Sequence, residues 1–161
     1  MKKILIPTDF SVKSLQLLDE VTKLYPDEIT NVILVYGYHV PTLETELFQF
    51  SSGKVIRKLA TTEFLESKAN FINKNYRQIN AISTEVFTGT NSFAFQNFRD
   101  LHQIHEAIIP EAGFLQFSGS SCFDPSKYIK KNIAKVHQLI MEEQAFEEYQ
   151  KVSFIHSLLK F

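Results

Sequence analysis

The residue best placed to do chemistry in this chain is Asp9. It follows the apolar run Ile4-Leu5-Ile6 and the pair Pro7-Thr8, so a carboxylate stands where a strand gives way to a helix. An acid there can accept hydrogen bonds from a ligand, or from the free N–H groups at the positive end of the helix that follows. A second group is Ser118-Gly119-Ser120-Ser121, a short polar loop able to form a small anion nest, with Lys127, Lys130 and Lys131 close behind it in sequence. The plainer reading of that loop is a solvated connection whose glycine only makes a turn. Cys122 lies between this loop and Phe123 and lacks the cationic neighbour that activates a thiol. His102 and His105 are three apart, but no third ligand stands at a fixed spacing, so no metal is expected. No nucleophile motif, no paired acid with a spaced base and no P-loop occurs, which leaves catalysis with little support.

These residues need elements to hold them. Ile4-Leu5-Ile6 and Val32-Ile33-Leu34-Val35-Tyr36 are unbroken apolar runs, the pattern of strands covered on both faces of a parallel sheet. Between them Leu15, Leu18, Val21 and Leu24 step by three, which predicts a helix capped by Asp9 or Ser11 and stopped by Tyr25-Pro26-Asp27. Strand, helix, strand favours a right-handed crossover. A long helix is expected over Lys54–Asn75, a third strand over Ile82–Phe87, a helix opening at Asn91 or Ser92, and a short fourth strand over Glu106–Ile109. Asp124-Pro125-Ser126 opens a last helix with Ile129, Ile133, Val136, Leu139 and Ile140 on its buried face, and the pattern stays helical to Phe161 without a convincing further strand. Phe114, Phe117 and Phe123 read as plugs between loop and core. The expected class is α/β: a doubly wound, mostly parallel open sheet with an all-helical C-terminal extension. Residues 1–161 form one domain, with 1–140 as the α/β core and 141–161 as the helical segment.

Composition narrows the partners. Seventeen Lys plus Arg against 18 Asp plus Glu give a net charge of -1, so no global field draws the protein to nucleic acid or to an anionic membrane. Hydrophobic residues at 44% suffice for a core, yet no run approaches the roughly 20 apolar residues of a membrane span. One cysteine cannot make an internal disulfide, and the apolar run behind Lys2-Lys3 is too short for the core of a signal peptide. A cytoplasmic protein is expected.

The stretch KKILIPTDFS, followed by an amphipathic helix and NVILVYGYHV, resembles the N-terminal half of the universal stress protein family. The likeness is specific over residues 2–40 and topological over residues 54–110. It implies a Rossmann-like sheet of the adenine nucleotide alpha hydrolase type, and binding or signalling work in a stress response. In nucleotide-binding relatives the acid after the first strand lies near the adenine, and the end of the second strand offers backbone contacts to it. The resemblance therefore implies a ligand role for Pro7, Thr8 and Asp9 and for Tyr36. The glycine-rich phosphate motif of such relatives is absent after the fourth strand, where only Ser118, Gly119, Ser120 and Ser121 remain. The expectation is a degenerate or altered adenine-nucleotide site that holds ATP or AMP weakly, if at all. The alternatives are an interaction module with a filled pocket and a nucleotide hydrolase of the same fold group. The helical end of the chain further suggests a homodimer through Phe146, Tyr149, Val152, Phe154 and Leu158 in place of a strand-mediated one.

Overall fold

The computed structural model describes residues 1–141. The expected helical segment beyond them and its dimer residues Phe146, Tyr149, Val152, Phe154 and Leu158 lie outside the described residues. The elements in chain order are β1 (Lys2–Pro7), a 3-10 turn (Lys13–Leu17) running into α1 (Leu18–Leu24), β2 (Thr30–Tyr38), α2 (Glu44–Gln49), α3 (Ser52–Leu59), α4 (Thr62–Lys74) and β3 (Ile79–Phe87). They continue with α5 (Ser92–His102), β4 (Glu106–Pro110), β5 (Cys122–Phe123), α6 (Ser126–Asn132) and β6 (Lys135–Leu139). Five strands form a parallel sheet in the order β3-β2-β1-β4-β6, and β5 adds a short antiparallel pairing to β2. This is the doubly wound sheet that the apolar runs predict.

Alternation along those runs serves two cores. Ile4 and Ile6, with Val32, Leu34 and Tyr36, face one layer, where they meet Leu15, Leu18 and Val21 and the aromatic pair Phe64 and Phe71 of α4. Leu5, Ile33 and Val35 face the other, against Phe95 of α5 and Ile129 of α6. Because side chains of a strand alternate between faces, a run with no polar residue is what a strand buried on both sides requires. Among the described residues no helix is long and apolar enough to cross a membrane.

Two expectations are corrected. The helix anticipated over Lys54–Asn75 is two helices, α3 and α4, because Thr61 interrupts it: its hydroxyl accepts the Phe64 N–H at 3.1 Å and starts a new helix. Ser51 caps α3 in the same way, accepting from Lys54 N. The larger correction lies at the end of the core. The helix opening at Asp124-Pro125-Ser126 stops at Asn132, and Lys135–Leu139 is a strand, parallel to β4 with Ala107 opposite Val136 and Ile109 opposite Gln138. Ile133, Val136 and Leu139 step by three and so imitate a helix face, but β4 presents an unpaired edge whose backbone groups need partners. The helix is ended by its own residue Asn132: its side-chain amide donates to Tyr128 O at 2.9 Å, and its carbonyl accepts from Arg99 at 2.7 Å.

Candidate functional site

In an open α/β sheet the ligand position is the crevice at the carboxyl ends of strands where the winding reverses. Here that point lies between β1, which leads to β2 on one side, and β4 on the other. Pro7 closes β1 opposite Val35 and is buried. Thr8 is wholly buried and serves the chain itself: its N–H donates to Val35 O at 2.9 Å, and its hydroxyl lies 2.9 Å from Ser14 Oγ while accepting from Phe10 N. Phe10 takes a left-handed backbone with φ of 63°, uncommon for a bulky residue. That turn sends its ring into the core against Tyr36 and Phe64, 4.9 and 5.5 Å between centroids.

Of the two residues expected to cap the following helix, Asp9 does not do so. Its Oδ1 accepts from the Ser11 N–H and hydroxyl, and its Oδ2 accepts the backbone N–H of Gln116 at 3.0 Å. The capping contact comes from Ser11, whose Oγ accepts from Ser14 N at 3.1 Å. The carboxylate thus ties the β1 loop to the segment after β4. Gln116 carried no signal in the sequence, since it contributes only its backbone.

The end of β2 is engaged as well. β2 outruns β1, and its last residues Gly37 and Tyr38 pair with Phe123 and Cys122, while His39 N donates to Ser121 O at 2.8 Å. Gly37 is needed for this approach: a β carbon there would stand 2.3 Å from the Phe123 carbonyl oxygen. A glycine inside a strand pattern points to such a close backbone approach, so this contact did leave a trace in the sequence. Tyr36 lies just beneath, almost fully buried, its ring near Phe117 at 5.7 Å. Burial raises its hydroxyl well above the ordinary tyrosine range, with further upward pushes from neighbouring Cys122, Tyr38 and Asp9. It remains a neutral donor.

Ser118, Gly119, Ser120 and Ser121 are exposed at the tip of this segment, and Gly119 has a φ of 93° with open space around its β position. Two carbonyls of the tip are already used, Ser118 O by the Cys122 thiol at 3.0 Å and Ser121 O by His39. Of the three phenylalanines, Phe114 is buried with the first core, Phe117 packs on it, and Phe123 packs against the second. Asp9, Tyr36 and the segment 114–123 are therefore brought together. Lys127, Lys130 and Lys131 line a groove with Ser92 and Tyr128. Among the described residues no group of three His, Cys, Asp or Glu could hold a metal ion.

No family model matches the chain, and no curated protein matches it. Solved structures do. The hypothetical protein MJ0577 superposes with a TM-score of 0.58 at 16% identity, over 88% of this chain and 97% of that one. Universal stress protein UspA from Lactobacillus plantarum gives 0.52 at 14% identity, over 88% and 97%. A universal stress protein family protein from Arabidopsis thaliana with AMP bound gives 0.51 at 10% identity, over 90% and 95%. The fold is that of the universal stress proteins. The agreement extends through nearly the whole length of each neighbour.

Proposed function

We propose that this chain is a universal stress protein-like binding or signalling protein whose adenine-nucleotide position is altered by its own segment 111–125. One observation carries the reading: Asp9 Oδ2 accepts from Gln116 N, so the acid expected to meet an adenine already has a partner. The pairing of Gly37 and Tyr38 with Phe123 and Cys122 supports it, since these residues occupy the end of the second strand, where relatives are expected to contact the base. A solved neighbour of the same fold has AMP bound, which makes an adenine nucleotide the first ligand class to test. A ligand entering here displaces a backbone hydrogen bond to a carboxylate and two residues of strand pairing. Burial of the aromatic side chains beneath the segment opposes that displacement. The expected affinity for nucleotide is correspondingly low, and the work of the protein is recognition rather than turnover. A cytoplasmic site of action is part of this proposal.

The test is calorimetric titration with ATP, AMP and adenosine, with and without magnesium. The wild-type chain is expected to give weak or no saturable heat with adenosine, and with ATP or AMP none that Asp9→Ala removes. Gln116→Pro, which deletes the N–H donated to Asp9, is expected to bind AMP or adenosine measurably more tightly than wild type. Micromolar binding by the wild type that vanishes in Asp9→Ala would overturn the reading, because the pocket would then be open and the carboxylate free to serve it.

A further inference from the structure

A different face of the molecule carries a second candidate site, independent of the adenine position. Between the start of α5 and the exposed side of α6 lies an open groove of about 500 Å³, lined by Ser92, Lys127, Tyr128, Lys130 and Lys131. That volume is within the range of small-molecule sites. Positions 127, 130 and 131 are spaced by three and four, so α6 presents the three ammonium groups on one side. Among the described residues none of the three forms an ion pair with an acid. Lys127 lies over the Tyr128 ring at 4.9 Å, and Lys130 reaches only the Gln138 amide oxygen at 3.5 Å.

The walls are braced from behind. Tyr128 donates its hydroxyl to Thr90 O at 3.0 Å, and Gln96 donates to Asn132 Oδ1 at 3.1 Å. The Asn132 amide also donates to Ser92 Oγ at 3.3 Å. As an acceptor in that contact, Ser92 keeps its own O–H to donate elsewhere. Fixed α5–α6 spacing, a hydroxyl donor, a tyrosine ring and three cations with no acid partner among the described residues make an environment suited to negative charge, in a chain whose net charge is only -1.

We propose that this groove binds a small phosphorylated ligand, its phosphate held by Lys127, Lys130 and Lys131 with the Ser92 hydroxyl. The assay is an NMR titration of the full chain with inorganic phosphate, pyrophosphate and AMP at low and at high salt, following the amides of residues 90–96 and 126–132. Saturable shifts confined to these residues are expected, strongest for pyrophosphate and weakened by salt. A Lys130→Glu/Lys131→Glu variant should lose affinity by about tenfold or more. The control Lys54→Glu/Lys58→Glu makes the same charge change on α3 and should bind as wild type does. Adenosine, which carries no phosphate, should shift none of these amides, which separates this site from the adenine position. Equal loss in the α3 control, shifts that never saturate, or binding of heparin or RNA without binding of pyrophosphate would each overturn the proposal.

Discussion

Replacing Gly37 by alanine tests the closest contact in the site. The new β carbon would stand 2.3 Å from the Phe123 carbonyl oxygen and 2.7 Å from two carbons of its ring. The ring can turn away, but the carbonyl belongs to the paired backbone, so β2 and β5 must part by roughly 1 Å before the contact becomes tolerable. A separation of that size stretches the β2–β5 hydrogen bonds, and the His39 N to Ser121 O bond of 2.8 Å beside them, out of useful range. Overpacking costs about 1–3 kcal/mol and each lost backbone bond about 0.5–1.5 kcal/mol, so a total of roughly 2–4 kcal/mol is expected. For a chain of this size the melting temperature should fall by roughly 5–15 °C. Thermal unfolding followed by circular dichroism measures the fall, and amide exchange at residues 121–123 locates it. Adding Phe123→Ala should not restore stability, because the carbonyl clash does not depend on the ring. A Gly37→Ala protein that melts with wild type and keeps those amides protected would refute the reasoning.

Asp9→Ala removes the acceptor of three hydrogen bonds; a loss of about 1–3 kcal/mol in urea unfolding is expected, with faster amide exchange at Gln116. Phe95→Ala empties a fully buried site packed against Phe87 at 5.1 Å and should cost about 3–5 kcal/mol, read as a lower urea midpoint at unchanged slope. Glu106 is buried at the amino end of β4, 3.1 Å from Lys135, 3.8 Å from Lys2 and 3.7 Å from His137. Burial raises its pKa, but hydrogen bonds from Tyr25 and Lys135 and the charges of Lys2 and Lys135 outweigh that and hold it below the ordinary 4.5. A depressed carboxylate stabilises the fold above its unfolded pKa, so that contribution should fade as pH falls below 4.5, and Glu106→Gln should flatten the acid limb of a stability profile. An unchanged acid limb in the variant would count against this assignment.

The parts of the fold that were legible from sequence are those where one signal decides. Ile4-Leu5-Ile6 and the run Val32 to Tyr36 had no polar alternation and no competing reading, and Asn91 caps α5 through its contact with Ala94 N as its type suggests. β6 was missed because Ile133, Val136 and Leu139 step by three as a helix face does; the free edge of β4 decides for a strand, and that edge is a tertiary fact. The candidate site divides in the same way. Asp9 and Tyr36 could be placed from the order of elements, whereas the partner of Asp9 is a backbone N–H, available at almost any residue. Cys122–Phe123 is too short a strand to show a period at all. Thr8 was grouped with the site because it adjoins Asp9, yet alternation along the chain turns it inward to Ser14.

The antiparallel β5 has a consequence for the rates at which this protein gains and loses its structure. Its two residues join a strand laid down in the first quarter of the chain, and so short a pairing returns little until β1, β2 and β4 have already assembled. Contacts of that kind are made after the rate-limiting step of folding and must be broken on the way out. They lengthen the lifetime of the folded molecule without hastening its formation, so loosening β5 should leave refolding rates nearly unchanged while unfolding quickens.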